Sequence, residues 1–495
     1  MAEIASQRYE ELVVTRKPYE DRAKTLSELT IPYLFVEDGS SASSDMADSY
    51  GARYAGDAVA SLANKMALAL LPASGSSFKL EPDAEALEQL TGGDANSRAE
   101  IFNIISKETN KVNKEIENQQ IRSVFEAFLM QVIAVSPVIV EKLENDGIAY
   151  HSLRNFVVKL NKKGEAIEMV IKESLDPTQL PDGIEAEEGA TEDVELYTWC
   201  KLLDDTWTVV QSTNGEAIGD ESTFKKGELP YVYLGWVKQN GDTFHRPYAE
   251  RYQGTIKDYG DLNKTLVEGG IISSKTIFMV NPLGSTTKKA VADAANGDII
   301  DGRQEDVTTL QVGKNYDYQV AQQRLQELKQ DIDRAFAVEA GASYAGRERV
   351  TAFEIQQDAR KLDEKLSGFY SVMAKKFSKW LIKQIMKELG IKFDAIDVNV
   401  ITGLDALGRN VEAQKLDNFV MRLANLNKIE WVKEEELVTR YAAYEGVDSN
   451  GLLKTPNEVQ AERQQASQAQ AAQAMMESGA AQAGQNAANQ AIPAQ

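Results

Sequence analysis

One long helix in the second half of the chain constrains the fold more than any other feature. Thr351 and Glu354 have the spacing of a capping box, in which two side chains satisfy backbone N–H groups where a helix begins. Apolar residues then recur at helical spacing over residues 355–389, and Gly390 marks a stop. The pattern predicts about 39 helical residues, or roughly 58 Å at 1.5 Å per residue. A helix of that length without a strict heptad repeat is typical of a strut in a large assembly, although an ordinary long domain helix has the same pattern.

A loop of small residues precedes this helix. Residues 341–350 include Gly341 and Gly346, which do not favour a continuous helix, and Arg347 and Arg349 stand near the end of the loop. Before the loop, residues 321–340 place four apolar side chains on one helical face: Leu325, Leu328, Ile332 and Phe336. The sequence therefore predicts a helix, a basic loop and a second, very long helix in succession.

The acidic composition limits how the chain can meet nucleic acid. The chain has 495 residues, of which 43% are hydrophobic, enough for a substantial core and two to four structural regions. Its formal net charge is −22. A classical nucleic-acid binder neutralises phosphates with lysine and arginine, so this charge argues against that class. An acidic protein can still enclose DNA and let it slide by repelling it.

Residues that bind metals or form disulfides are scarce. Cys200 is the single cysteine, which excludes an intramolecular disulfide framework. The two histidines, His151 and His245, are far apart in sequence and have no ligand spacing or nucleophile nearby. We therefore expect structural roles for both histidines, no zinc site and no cofactor.

Catalytic motifs are also not apparent. The glycine pattern of residues 51–56 is followed by Asp57 and Ala58, where a phosphate-binding P-loop needs Lys and then Ser or Thr. The abundant carboxylates give no reason by themselves to invoke acid–base catalysis. We expect a protein that is not an enzyme.

No segment has the pattern of a secretion signal or a membrane span. The N-terminal residues lack a basic region followed by an apolar run. The longest apolar stretch, residues 128–140, contains Gln131, Ser136 and Pro137 and is too short to cross a bilayer. We expect a soluble protein made in the cytoplasm, with no membrane partner.

Periodicity divides the rest of the chain into helical and strand-rich segments. A helix with a break at Pro18 is predicted over residues 6–30, and further helices over 53–71, 97–135, 248–275 and 321–340. Short strands are predicted at 138–140, 156–160, 167–171, 194–203, 207–211 and 231–237. Residues 276–320 combine short strands and loops between two helices, which predicts a small module projected on a helical stalk.

Two features inside the helices have more than one explanation. Gly269 and Gly270 permit either a bend or a close approach to a neighbour. Five lysines lie near the end of the long helix, where they suit its negative dipole end and either face solvent or meet a partner or nucleic acid: Lys375, Lys376, Lys379, Lys383 and Lys387. Arg347 and Arg349 are the better candidates for contact with DNA.

Taken together, these segments resemble the portal proteins, or head-to-tail connectors, of short-tailed phages (podoviruses). The most specific match is residues 348–355 with residues 366–371. Further matches follow the order of the chain: residues 62–72, 272–275 with 280–282, 297–306 and 402–409. The resemblance covers almost the whole chain.

The resemblance implies an α+β fold, mainly helical, that assembles as a ring of about twelve subunits. It implies a wing at 1–247 (helices over 1–136, a β-meander over 137–247), stem helices at 248–275 and 321–340, a clip at 276–320 and a tunnel loop at 341–350. It further implies a long wing helix and return strand at 351–400 and a crown at 401–458. The Ala/Gln-rich tail at 459–495 would form a barrel or be disordered.

The resemblance also implies partners and contact residues. Double-stranded DNA would pass through the central channel and terminase would dock during packaging, with tail or adaptor, major capsid and scaffolding proteins as further partners. Arg347 and Arg349 are the candidates for the DNA-facing tunnel loop. The candidates for partner binding in the clip are Lys288, Lys289, Arg303, Glu305 and Asp306. The expected location is the head–tail junction of the virion.

Two other classes remain as alternatives. A capsid scaffold or tail adaptor would have no DNA channel, and it would lack the order of stem, clip and tunnel loop. An ATP-driven DNA motor is disfavoured because residues 51–58 fail the P-loop pattern.

Overall fold

The computed structural model describes about two thirds of the chain: residues 2–36, 52–71, 78–82, 88, 95–144, 146–177, 193–213, 216–274, 277–310, 315–338, 372–391, 396–400, 409–426, 428–432, 437–438 and 441. The predicted tunnel loop at 341–350, the predicted start of the long helix at 351–371 and the tail at 459–495 lie outside the described residues.

Helices and strands alternate in blocks along the chain. The helices are α1 (Ala2–Leu29), α2 (Ala52–Leu70), α3 (Ala95–Asn118), α4 (Ile121–Ala134), α5 (Gln253–Ser274), α6 (Lys288–Asp293), α7 (Asn315–Ala335), α8 (Lys379–Glu388) and α9 (Arg409–Asn425). The strands are β1 (Phe78–Pro82), β2 (Val138–Lys142), β3 (Ile148–His151), β4 (Phe156–Leu160), β5 (Ala166–Leu175), β6 (Val194–Leu203), β7 (Thr206–Thr213), β8 (Glu216–Lys225), β9 (Tyr231–Leu234), β10 (Ile277–Val280), β11 (Val307–Leu310) and β12 (Ile396–Val400). Among the described helices, none is long and apolar enough to cross a membrane.

The larger sheet is an antiparallel meander in the order β4-β5-β6-β7-β8, and α1 packs on it. Ala5 and Tyr9 of α1 are buried in a cluster with Val157, Val170 and Trp199 of the sheet. Both strands contain runs of buried apolar residues, 156–158 in β4 and 169–171 in β5, so the two faces of the sheet are covered at these positions.

Helix α1 runs unbroken through Pro18, so the predicted break there is wrong. A proline inside a helix removes one backbone hydrogen bond and costs about 3 kcal/mol. Packing holds α1 on both sides of Pro18, because the ring of Tyr9 meets Tyr197 at a centroid distance of 5.6 Å and the ring of Tyr19 meets Phe244 at 5.2 Å. These contacts offset the missing hydrogen bond.

The second sheet has the order β3-β2-β9, with α4 against β2 and β3. Phe125 and Phe128 of α4 are fully buried. Their rings meet Phe377 at centroid distances of 4.6 Å and 5.1 Å. This aromatic cluster anchors the end of the predicted long helix in the core.

That end of the long helix is not uniform. Residues Ala374–Ser378 form a π-helical turn ahead of α8, where the sequence predicts a regular helix. In this arrangement Phe377 stacks on Phe125 while the indole N–H of Trp380 donates to the carbonyl oxygen of Leu229 at 2.7 Å. The predicted stop at Gly390 is confirmed, since its φ of 68° is the left-handed conformation that ends helices.

The chain divides into two units. One comprises Met1–Glu81 and Lys111–Ala406, and it contains both sheets described above. The other comprises Pro82–Asn110 and Leu407–Gln495, in which α9 exposes Phe419 and Met421. Strand β1 lies in a block that the sequence predicts to be helical, and it pairs with β12, the predicted return strand.

Candidate partner-binding module

Two helices, α5 and α7, flank the small module and pack against each other. Gly269 of α5 faces Tyr318 of α7 so closely that a Cβ at Gly269 would lie 2.6 Å from the tyrosine Oη. The predicted close approach at this glycine is therefore confirmed. Helix α7 begins at Asn315, six residues before the predicted start at 321.

Between the helices, β10 and β11 form an antiparallel pair. Their register joins Ile277 to Leu310 and Val280 to Val307. Among the described residues, these two strands alone form the sheet, so their pairing needs support from the loop between them.

A buried threonine and a carboxylate provide that support. The carboxylate Oδ2 of Asp306 accepts hydrogen bonds from the amide N–H groups of Ser285 (2.8 Å) and Thr286 (3.1 Å) and from both hydroxyls. The Thr286 hydroxyl oxygen in turn accepts the N–H of Arg303 at 3.0 Å. The amide of Thr286, with the other donors, holds the pKa of Asp306 below its ordinary value of 3.8.

The other predicted contact residues of the module point to solvent. Lys288 and Lys289 open the short helix α6, whose first turn is capped by Thr287, and both are exposed. Arg303 and Glu305 are exposed as well. Asp306 differs from these four, since its carboxylate is buried and used inside the module. Its role as a partner contact stays a prediction.

Large apolar side chains on the module are also exposed, and the sequence pattern does not single them out. Leu283 is 94% exposed, Ile299 is 99% exposed and Phe278 is 57% exposed. Met279 and Ile300 are exposed as well. Single exposed apolar residues are ordinary, but five within the 23 residues from Phe278 to Ile300 suggest a surface that binds another protein.

An aromatic cluster fixes the base of α5 and α7. The hydroxyl of Tyr248 donates to the carbonyl oxygen of Ala335 at 2.9 Å. The ring of Phe336 meets Tyr248 at 5.5 Å and Tyr252 at 5.9 Å between centroids. The two helices are thus joined where they meet the body.

Helix α7 ends in a motif that Lys65 completes. The N–H of Val338 donates to the carbonyl of Asp333 at 2.9 Å, and Ala337 has a φ of 54°, as at the end of a Schellman motif. The Lys65 ammonium donates to the carbonyl oxygens of Ala337 (2.5 Å) and Val338 (3.3 Å). Lys65 therefore fixes the chain just before the predicted tunnel loop.

The predicted DNA contacts are only partly described. Arg347 and Arg349 lie outside the described residues. Among the lysines of the long helix, Lys387 stacks on the ring of Phe224 at 5.0 Å, and Lys376 is half-buried with its pKa lowered by burial. These two lysines have different surroundings, which does not favour one continuous row facing DNA.

The structure thus consists of helices and antiparallel sheets, with a small two-stranded module between the packed helices α5 and α7. The model of the family described as bacteriophage head to tail connecting protein matches residues 2–453. The chain therefore belongs to the bacteriophage head to tail connecting proteins. This membership confirms the resemblance and places the protein at the junction of phage head and tail. The helices and antiparallel sheets of the structure confirm the α+β fold class.

Curated relatives agree with this membership. The portal protein of Escherichia phage T7 is 29% identical over 512 residues, covering 98% of this chain and 93% of that protein. The portal protein of Enterobacteria phage T3 is 27% identical, covering 92% and 88%. A solved structure, the neck of an empty GTA particle computed with C6 symmetry, is 10% identical with a TM-score of 0.39, covering 79% of this chain and 90% of that chain.

Proposed function

We propose that this protein is a phage portal: a ring at one vertex of the capsid through which the genome enters during packaging and leaves during ejection. The match of residues 2–453 to the connector family carries this proposal. The portal proteins of the two phages named above, which align with nearly the whole chain, support it.

The proposed ring consists of about twelve copies around an axial channel. Exposed Leu283, Ile299 and Phe278 support an assembly, because contact with another protein would remove this apolar area from water. In the ring, α5 and α7 are the stem and the residues between them, 276–314, are the clip, which ends six residues earlier than the sequence predicts because α7 begins at Asn315.

Charge explains how such a channel would work. A net charge of −22 repels DNA from the wall and lets it slide, while a few arginines on loops can slow it without tight binding. Arg347 and Arg349 are the proposed loop contacts. The chain performs no catalysis in this proposal, so the ATP-driven step belongs to a separate packaging enzyme, terminase.

The clip is the proposed docking surface for terminase during packaging and for tail or adaptor proteins afterwards. Exposed Lys288, Lys289, Arg303 and Glu305 support this, since they offer both signs of charge beside the exposed apolar residues. Asp306 contributes by holding the loop that presents them. Scaffolding and major capsid proteins are the proposed partners at the capsid shell.

The solution mass of the full-length protein, followed by averaged electron images, tests the ring. At 54.7 kDa per chain, twelve copies give roughly 660 kDa. We expect a closed ring near that mass with an axial channel and no ATP hydrolysis. A compact dimer without a channel would contradict the portal and favour a capsid scaffold or tail adaptor, and ATP turnover would favour a motor.

A further inference from the structure

Three side chains that can bind a metal converge in the larger unit. Glu141 lies on β2, His151 on β3 and Glu173 on β5, so the cluster joins the two sheets. One potential ligand atom from each residue lies within 4.8 Å of the other two. His151 Nε2 is 3.0 Å from Glu141 Oε2, and His151 Nδ1 is 3.9 Å from Glu173 Oε1.

Strand register brings these residues together. His151 pairs with Ile139 across β2 and β3, and Glu141 is two residues from Ile139, on the same face of β2. A diagonal neighbour across an antiparallel pair is within reach of a long side chain. Glu173 then approaches the same imidazole from the other sheet.

The cluster has more negative than positive charge. The His151 side chain is 8% exposed, and the side chains of Glu141 and Glu173 are 19% and 27% exposed. Within the described residues, His151 is the ion-pair partner of both glutamates, and neither forms an ion pair with a lysine or arginine. The two carboxylates thus share a single imidazole, and Glu141 also accepts a hydrogen bond from the Tyr231 hydroxyl. Partly buried charge is costly unless it is paired or binds a metal.

We propose that Glu141, His151 and Glu173 form a binding site for one divalent cation of the zinc class. One imidazole nitrogen and two carboxylate oxygens are a ligand set that suits Zn²⁺, whereas Mg²⁺ and Ca²⁺ prefer oxygen ligands throughout. Ligand bonds of about 2.0–2.2 Å put tetrahedral ligand atoms roughly 3.4 Å apart. Because one imidazole nitrogen binds the ion and the two glutamates stand at different ring nitrogens, one glutamate side chain has to turn toward the nitrogen that the other contacts. Water occupies the remaining position.

A cation at this position would link the two sheets of the wing. Glu141 and His151 belong to the three-stranded sheet, and Glu173 belongs to the meander. The metal would thus stabilise the folded state by binding it in preference to the unfolded chain. The competing explanation is a plain ion-pair triad that needs no metal.

Metal titration of the tag-free, full-length protein separates these explanations. After chelator treatment and dialysis, Zn²⁺ would be titrated by calorimetry and Co²⁺ by its visible absorption, each with and without Glu173→Gln or His151→Gln. We expect about one ion per chain, a higher melting temperature with Zn²⁺, and at least tenfold weaker binding in either variant. Glu221→Gln on exposed β8 removes one charge away from the cluster and is the matched control, with binding unchanged.

Three outcomes would overturn the proposal. The first is that the wild type shows no saturable Zn²⁺ binding. The second is that both variants bind Zn²⁺ as tightly as the wild type. The third is that Mg²⁺ or Ca²⁺ raises the melting temperature as much as Zn²⁺ does. If His151→Gln alters the circular dichroism spectrum, the nearly isosteric Glu173→Gln decides the result. Ring formation is measured separately, so failure of this site leaves the portal proposal standing.

Discussion

The ammonium nitrogen of Lys65 lies 2.5 Å from the carbonyl oxygen of Ala337, although 272 residues separate them in sequence. Helix α2 thereby holds the end of α7, next to the predicted tunnel loop. A positive side chain at the C-terminal end of a helix satisfies free carbonyls and suits the helix dipole. This contact explains why a lysine stands in segment 62–72, where every other residue except Asn64 is apolar.

Replacing Lys65 with Met should loosen the end of α7. The variant loses hydrogen bonds from a charged donor, each worth about 1.5–3 kcal/mol. We expect hydrogen exchange at Phe336–Val338 to accelerate by about tenfold or more. Lys17→Met on α1, where the lysine is exposed, is the control and should change exchange there very little. Unchanged protection at 336–338 would mean that Lys65 does not hold this end.

The contact of Gly269 with Tyr318 predicts opposite effects for adjacent glycines. Gly270→Ala should stabilise α5 by about 0.5–1 kcal/mol, because alanine favours helices and its Cβ would meet nothing within 4 Å. Gly269→Ala should instead be less stable than Gly270→Ala by about 1–3 kcal/mol, because its Cβ would collide with the Tyr318 side chain.

A double-mutant cycle checks this explanation by chemical denaturation. In a Tyr318→Ala background the collision is gone, so Gly269→Ala should then stabilise as Gly270→Ala does. If Gly269→Ala is equally destabilising in both backgrounds, close packing against Tyr318 is not the cause.

Much of the secondary structure can be predicted from sequence, but its long-range arrangement cannot. The sequence predicts strand β6 with its observed bounds because its residues are apolar and β-branched or aromatic at the right spacing. The sequence does not predict strand β8, because nearly all its side chains are exposed and its residues do not alternate between apolar and polar. The predicted break at Pro18 is wrong because local helix propensity does not include the packing of Tyr9 and Tyr19, which holds α1 on both sides of the proline.

The site residues show the same limit. Lys288 and Arg303 can be proposed as partner contacts from the resemblance. The internal role of Asp306 cannot, because it depends on a loop that brings Thr286, 20 residues earlier in the chain, against the carboxylate. The sequence predicts only a structural role for His151 because the residues around it show no metal-ligand spacing. Glu141 reaches it through the register of β2 and β3, and Glu173 reaches it from the other sheet. A slip of one residue in that register would turn His151 to the opposite face.

Asp306→Asn should loosen the module between α5 and α7. The carboxylate accepts from four donors, and an amide loses the charge that strengthens those bonds. We expect faster hydrogen exchange at Ser285 and Thr286 and weaker binding of clip partners. Glu305→Gln removes the same charge from an exposed neighbour and should leave exchange at those amides unchanged.

The same carboxylate predicts a pH dependence. The folded pKa of Asp306 is lowered, so its stabilisation is present above the ordinary value of 3.8 and is lost as pH falls through the folded pKa. Protection of Ser285 and Thr286 should therefore persist down to pH 4 and fall below it. Loss of protection already at pH 5 would disagree with this assignment.

His245 predicts a separate loss of stability in mild acid. Burial, with the charges of Lys376 and Lys238, lowers its pKa from 6.5 to about 4. In the unfolded chain His245 is therefore protonated below about pH 6.5, whereas in the folded chain it is protonated only below about pH 4. The folded state should lose up to about 3 kcal/mol over that interval.

Denaturation curves of the wild type and His245→Gln between pH 7 and pH 4 measure this effect. The glutamine cannot ionise, so the variant should show the shallower decline. Comparison of the two proteins at pH 7 also tests whether the hydrogen bond between the Tyr233 hydroxyl and Nδ1 of the imidazole, at 3.1 Å, is needed for folding. Parallel declines in the two proteins would assign the acid sensitivity to other groups.

The proposed contact of the loop at 341–350 with DNA is tested by Arg347→Ala combined with Arg349→Ala. An acidic channel wall would hold DNA weakly, so two positive charges on a loop would slow the movement of DNA through the channel more than they would raise the affinity of the channel for DNA. We expect the double variant to form rings of unchanged mass but to package or retain less DNA, with the defect diminishing as salt screens the wild-type contact. Lys162→Ala with Lys163→Ala, in an exposed turn, removes the same charge and should package normally. Normal packaging and retention by the arginine variant would show that these two residues do not contact DNA.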